Sequence, residues 1–546
     1  MVSRSLGHRA PLLWLVIPFM AGLALGQARE NLPIGACLAG AVSASIVCAV
    51  ASWRGLRRTW EIALVAAMIL AGAASYVENR PRLSVWDALP PREVGVSLRV
   101  DRVFAQSDPR KAVGVGVIVR AAPPVQELAG QCVYFSLSTP RGKPPPLISA
   151  VIAVTGVLAP LPRDPPISTF DGFLAGAGVN FRLTRGRILA EEKRASAYRR
   201  FCARALDKFS ALLGLGVLEK RPELVGVLRA MLLGQQHELT PRETTQYRES
   251  GTMHVFSISG LHIAVISIAL QAVLALLRLP RVVALVVGLL ALWLYVDITG
   301  AAPSAIRAFV MVAFVQVAQA GRVPRNPLSA LAAAALVVLL TRPLDIFSAS
   351  FQMSYGIVAA LLLLGLPLAD RWLEISALFS DLPRSSWTWH HRWRDAIWRA
   401  MLSAVGIGVA SSLVSAVTGA QFFQMFTPGS LFANLWVIPV SSLVILFGLV
   451  SLVSGLIGWT GACVLANHAS VLVLWIVDWG IRINLKIPGM WFGASFRLEG
   501  LGGPVLVALL ASLIVGYAAR WNGWCRGFWP PIAVIVLAMI FGVKYA

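Results

Sequence analysis

Apolar runs of about 17 to 25 residues recur along this chain, each long enough to cross the hydrocarbon core of a bilayer as a helix. Lipid gives exposed backbone N–H and C=O groups no partner, so a crossing segment must satisfy them internally. Thirteen runs fall near residues 11–29, 33–52, 60–77, 252–278, 282–299, 303–320, 327–341, 346–369, 398–417, 430–457, 462–481, 503–519 and 529–545. The pattern predicts a polytopic α-helical membrane protein. The first run follows Arg4 and Arg9 and ends in "LALGQA", which looks like a leader cleavage site. A second run follows almost at once, and its basic loop needs a matching N-terminal side, so the first is read as a retained span.

Of the 546 residues, 57% are hydrophobic and 14% charged, which excludes an ordinary soluble domain. Lys and Arg number 48 against 26 Asp and Glu, a formal charge of +22 that suits cytoplasmic loops and a polyanionic partner alike. Threading the runs by the positive-inside bias places Arg4, Arg9 and the cluster Arg54, Arg57 and Arg58 inside. Arg278, Arg281, Arg322, Arg325, Arg384, Arg392, Arg394, Arg520 and Arg526 follow them there. The segment with Arg482, Lys486 and Arg497 falls outside, against the bias, and the C-terminus ends outside as well.

Between the first three runs and the remaining ten, the character changes. Residues 80–200 carry the pairs Pro123-Pro124 and Pro165-Pro166, the run Pro144 to Pro146, frequent charges and apolar residues that alternate rather than run on. Val94, Val96, Leu98 and Val100 alternate with polar or small neighbours, as do Val113, Val115, Val117 and Val119; further strand-like runs lie near 131–138, 150–158 and 180–189. Five strands predict a small extracytoplasmic β-barrel, with an OB-like fold the natural candidate. Arg99, Arg102, Arg110, Lys111 and Arg120, near Phe104, Tyr134 and Phe135, are its candidate DNA-binding residues. Solvated strand faces also carry Arg, so the bland reading stands beside that one. The organisation expected is a three-helix membrane unit at 1–79, the OB-like domain at 80–200, amphipathic linker helices at 201–250 and a membrane domain of about ten helices at 251–546. Leu224, Val225, Leu228, Leu232 and Leu233 form the linker's apolar stripe, read as lying at the membrane surface.

Six cysteines, Cys37, Cys48, Cys132, Cys202, Cys463 and Cys525, show no metal-ligand spacing and no disulfide framework. No metal and no cofactor are expected. A Cys132–Cys202 pair stays open, because both flank the soluble region.

The densest polar cluster within apolar sequence is "GTMHVFSISGLHIAVIS", with His254, Ser257, Ser259, Gly260 and His262. His254 and His262 share a helix face only if the Ser259-Gly260 step leaves the helix unbroken. In "GAAPSAIRAFVM", Pro303 stands near a helix start, followed by Ser304 and then Arg307, with Asp297 in the preceding run as a candidate partner. An Arg in a span needs a carboxylate, carbonyls or a wet cavity. Both clusters read equally as structural hydrogen bonding.

"GTMHVFSISGLHIAVIS" resembles the signature of the ComEC family of competence DNA-uptake channels, approximately H-x-x-x-x-S-G-L-H. "GAAPSAIRAFVM", "NPLSALAAAALVVLLTRPLDIFSASFQMSYGIVA" and "TPGSLFANLWVIPV" resemble the family's later membrane motifs in order, and "STFDGFLAGAGVNFRL" the end of its OB-like domain. The resemblance implies a non-enzymatic channel in the cytoplasmic membrane that passes single-stranded DNA during natural transformation. His254, Ser257, Ser259, His262, Arg307, Gln352, Ser354 and Asn434 would then line or shape the pore, with Pro439 among the prolines that break helices around it. It also implies partners: an outer DNA receptor, a cytoplasmic motor or DNA-binding protein, and membrane lipids, with a homo-oligomer left open. Many members carry a metallo-β-lactamase-like domain whose H-x-H-x-D-H string is absent before Ala546, so a nuclease is expected on another chain. Two rival readings remain: a transporter of another anionic polymer or lipid, and a membrane hydrolase using His254 or His262 with a motif serine.

Overall fold

A computed structural model describes residues 10–545 apart from 30–31, 81–85, 87–88, 105, 107, 109, 122–124, 141–143, 164, 323–325 and 380. Arg4, Arg9, Arg325 and the Pro123-Pro124 pair therefore lie outside the described residues.

Each of the thirteen apolar runs holds a helix. The first three are α1 (Leu13–Ala28), α2 (Ile34–Trp53) and α3 (Arg57–Asn79). Helices α1 and α3 cross where Gly22 and Gly72 remove the Cβ atoms: a Cβ at Gly72 would stand 2.3 Å from the Phe19 carbonyl oxygen. With no hydrophobic force between helices in lipid, such close backbone approach is what holds them.

The chain then forms β1 (Arg92–Phe104), β2 (Lys111–Ala121), β3 (Cys132–Ser138), β4 (Val151–Pro160), a short α4 (Phe170–Gly176) and β5 (Phe181–Lys193). These are the five strands read from the alternation. They close into a barrel in the order β1-β2-β3-β5-β4, with β3 and β5 parallel and the other pairs antiparallel. Alternate residues, among them Val94, Val96, Leu98 and Val100, fill its core.

Helices α5 (Ala197–Gly214), α6 (Pro222–Leu233) and α7 (Pro241–Glu249) follow. The surface position expected for the 222–248 stripe is not what forms. Helix α6 is buried from Leu224 to Leu233 save for Arg229, at the centre of the largest core cluster. Its composition explains the difference: "PELVGVLRAMLL" is apolar on every side, and a helix apolar all round belongs inside a bundle. Tyr198 Oη and Arg199 Nη1 at the start of α5 bond to Asp297, and Asn467 Nδ2 donates to the carbonyls of Leu212 and Leu215 at its far end. The segment thus enters the bundle from the barrel side and turns back within it.

The remaining helices are α8 (Gly260–Leu276), α9 (Arg281–Ile298), α10 (Pro303–Ala320), α11 (Pro327–Thr341), α12 (Ala349–Ile375), α13 (Trp389–Phe423), α14 (Ser430–Leu456), α15 (Thr460–Leu485), α16 (Gly502–Ala518) and α17 (Trp529–Gly542). Nine helical segments among the described residues, α8 being counted with its preceding turn from Met253, are long and apolar enough to cross a membrane, while α1, α11, α16 and α17 are shorter. Three contain π turns, at Leu361–Gly365, Gly419–Phe423 and Ala538–Gly542; the first leaves the Leu363 carbonyl to accept from the Trp521 indole.

Strands β6 (Met425–Phe426), β7 (Phe492–Phe496) and β8 (Val543–Tyr545) form one small sheet. Gln424 beside it donates to Ser168 of the barrel region at 3.2 Å, so two interhelical segments and the stretch after α17 meet on the barrel's side of the bundle.

Candidate functional site

The polar motif folds as a loop followed by a helix start. Met253–Val255 form a single 3-10 turn, and α8 begins only at Gly260, so the Ser259-Gly260 step does break the helix between His254 and His262. Ser259 is the N-cap: its backbone N–H donates to His262 Nδ1 at 3.2 Å, and its hydroxyl lies 2.9 Å from the same nitrogen. A backbone N–H can only donate, so Nδ1 carries no proton and the neutral ring holds it on Nε2. That Nε2 is buried and finds no partner among the described residues. Ser304 Oγ, one residue after Pro303 in the first turn of α10, donates to the Ile258 carbonyl at 2.8 Å and ties the two motifs together. His254 and Gly260 are exposed and Ser257 half-buried.

Arg307 lies one turn into α10 and is 1% exposed. The carboxylate offered by the sequence is not its partner: Asp297 is held by Tyr198 and Arg199, because α5 reaches it first. Arg307 Nη2 instead donates to the Ser350 carbonyl at 2.8 Å, to Ser350 Oγ and to Ser354 Oγ at 3.1 Å on α12. Among the described residues its Nε and Nη1 are buried without a partner, as is the hydroxyl of Tyr355. Burying a charged donor unmet costs on the order of 1–3 kcal/mol or more, so this arrangement asks for an anion.

Around it stand residues that the sequence reading did not single out. Pro343–Phe347 form a turn between α11 and α12, and Arg342 and Asp345 there act electrostatically on Arg307. Burial pushes the Asp345 carboxyl up, while Arg342, Arg307 and Arg102 pull it back. Arg102 of the barrel is drawn below its usual value by burial and by Arg342, with Asp345 opposing. The charged "RPLD" turn between two apolar runs was the available signal; its meeting with Arg102 depends on tertiary docking.

The five barrel cations separate. Arg102 lies close enough to the 342–345 turn to feel Arg342 and Asp345, and its guanidinium stands 5.2 Å from the centre of the Phe104 ring. Arg99 is exposed and paired with Asp101, while Arg110, Lys111 and Arg120 are exposed elsewhere on β1 and β2 and their turn. Phe104 and Tyr134 join Phe170 and Phe173 in an aromatic cluster with centroid spacings of 5.2–6.5 Å. Phe170 and Phe173, on α4, were not among the sequence candidates, and both are exposed. Phe135 is not in the cluster; it faces inward and fills the barrel core. Helix α4 packs beside the 343–347 turn, so aromatics, Arg102 and Asp345 share one junction.

The other candidates are dispersed. Gln352 Nε2 donates to the Ile346 carbonyl at 3.1 Å, leaving its Oε1 buried and unmet, and Asn434 Oδ1 is likewise buried without a partner among the described residues. Pro439 lies inside α14 on an exposed face.

A family model described as Competence protein matches residues 231–524, more than half of the chain. The chain belongs to the competence protein family. A stretch of 142 residues, 26% of the chain, is 31% identical to "ComE operon protein 3" of Bacillus subtilis (strain 168), and covers 18% of that relative's length. No solved structure matches. This competence protein is thus a polytopic membrane protein with an inserted five-stranded barrel, and the family match covers α8 to α16 with their polar motifs.

Proposed function

We propose that this competence protein conducts single-stranded DNA across the cytoplasmic membrane, from the barrel side to the side of the basic loops. The observation that carries this reading is the junction of the barrel with the membrane domain. Exposed aromatics that can stack bases stand next to Arg102, and Arg102 stands beside the turn over the buried, under-bonded Arg307. Lys486 and Arg497, exposed on the same side, add positive charge that gathers a polyanion, while Arg482 beside them is paired with Asp478. The OB-like strand order supports a nucleic-acid surface, and the family match supports a role in DNA uptake.

A channel reading also accounts for His262 better than a hydrolase does. Its Nδ1 is spent on the N-cap of α8, and among the described residues no carboxylate bonds to Nε2 to orient the ring. An outer DNA receptor and a cytoplasmic motor belong to the proposal as partners.

Deletion of the gene should leave labelled DNA bound at the cell surface and abolish its nuclease-protected uptake. Arg307→Ala should reproduce the defect while the protein accumulates normally. Normal uptake in the deletion strain would end the proposal.

A further inference from the structure

Nothing in the family match assigns a ligand to the outer end of α10 and α12, yet the chemistry there is specific. Ser350 and Ser354 fix one nitrogen of Arg307 and so aim the guanidinium, while Nε and Nη1 keep their N–H bonds unused among the described residues. The hydroxyl of Tyr355, 7% exposed, is also unused, and it is electrostatically coupled to Arg307. All these free groups are donors. Arg342 and Ser350 are exposed beside them, at the end of α10 and α12 that faces the barrel. The negative group nearby, Asp345, makes no ion pair with Arg102, Arg307 or Arg342 among the described residues, although it acts on all three. Three cations against one carboxylate leave a surplus of positive charge at this point.

We propose that Arg307 and Tyr355, aimed by Ser350 and Ser354 and approached past Arg102 and Arg342, form a binding site for a single phosphodiester group. A phosphodiester has two unbridged oxygens that share one charge and accept several hydrogen bonds, which fits a guanidinium with free N–H bonds and a phenol donor. The occupant is a backbone phosphate of the transported strand. In that respect the site rests on the function proposed above, although phospholipid headgroups carry the same group. Asp345 acts as the competing charge that a phosphate must outweigh.

The test uses the full chain purified in detergent free of phospholipid, with a fluorescent ten-residue oligothymidylate titrated at several salt concentrations. Arg307→Gln should weaken binding about tenfold and lower the slope of log affinity against log salt by about 0.7, the amount expected for one lost phosphate contact on a single strand. Arg307→Lys should recover part of the affinity, Tyr355→Phe should weaken binding a few-fold, and Asp345→Asn should strengthen it. A methylphosphonate oligomer, which keeps the bases and loses the charge, should bind the wild type and Arg307→Gln alike. Unchanged affinity and salt slope in Arg307→Gln would overturn the site, and so would an effect of the same size on the uncharged oligomer. Repeating the titration in nanodiscs with and without phosphatidylglycerol identifies the source. If anionic lipid abolishes the difference between wild type and Arg307→Gln, the occupant is a headgroup; if the difference persists, it is the strand. Failure of the site would leave the deletion phenotype standing, so the two proposals fall separately.

Discussion

His262 shows how one residue can carry either reading until its neighbours are known. Its spacing from Ser259 matches a capping box, in which the N-cap hydroxyl and the residue three positions on satisfy each other's backbone groups, and the structure makes that pairing. His262→Ala should therefore lower stability by about 1 kcal/mol, the usual cost of losing a helix cap, and should impair uptake through the displaced motif. His262→Gln, which supplies an acceptor at the same position, should restore most of the melting temperature and of the uptake. A glutamine variant that is stable but inactive would instead assign the imidazole to chemistry. The pairing was legible in "SGLH", but the eight-residue spacing from His254 drew attention to a shared helix face that the break at Gly260 removes. Cys132 is a second case. Packing against Leu161, Leu174 and Val179 on the barrel's outer face, and secondarily Asp101, push its thiol up to about 12, and it is a free thiol, as is Cys202. Cys132 should resist maleimide at pH 8 in the folded protein and react promptly once unfolded. Rapid labelling of the native barrel would contradict the burial.

Among the elements, long apolar runs and strict alternation were legible because lipid and a barrel core each impose one period on many residues. Every expected span and strand has its counterpart. Helix α6 was misplaced because a stripe of five apolar residues was noted and the apolar residues between them were not. Of its two charges Glu223 is exposed in the first turn, and Arg229, six residues on, is the one the buried part of the helix must provide for. Arg229 is met by Glu238, at 3.1 Å, and the Ser210 carbonyl, also at 3.1 Å. Both side chains of the pair are largely shielded from solvent, so removing one partner strands the other. Glu238→Ala should destabilise the bundle by about 3 kcal/mol, whereas the double change Arg229→Met with Glu238→Ala should regain most of that, because replacing a buried pair by apolar side chains is often nearly neutral. Equal losses in the single and double variants, measured by thermal unfolding in detergent, would show that α6 is not held this way.

At the scale of the whole molecule, the arrangement of charge follows from how the helices are threaded. Hydrogen bonds join residues 424, 429 and 497 to residues 494, 490 and 542, and Gln424 bonds to Ser168, so these segments share the barrel's face. Counting helices outward from that face places Arg54, Arg57, Arg58, Arg278, Arg281, Arg322, Arg392, Arg394, Arg520 and Arg526 on the opposite one. The Arg482, Lys486 and Arg497 exception in the sequence is therefore a feature of the fold rather than an error in the span count. The positive-inside bias acts on the sum over short loops, and one basic outer segment is tolerated where the opposite loops outweigh it. That segment was legible as an anomaly, but its place beside the barrel was not, since the small sheet pairs residue 425 with 493 and residue 494 with 545, and Gln424 reaches back to Ser168. Single-cysteine variants at Lys486 and Tyr545 should react with a membrane-impermeant maleimide added to intact spheroplasts. Variants at Arg322 and Arg392 should react only after the membrane is opened. Protection of Lys486 together with labelling of Arg392 would invert the threading and put the barrel on the wrong side to meet an incoming strand. Labelling of both Lys486 and Arg392 would break the helix count between α13 and α15.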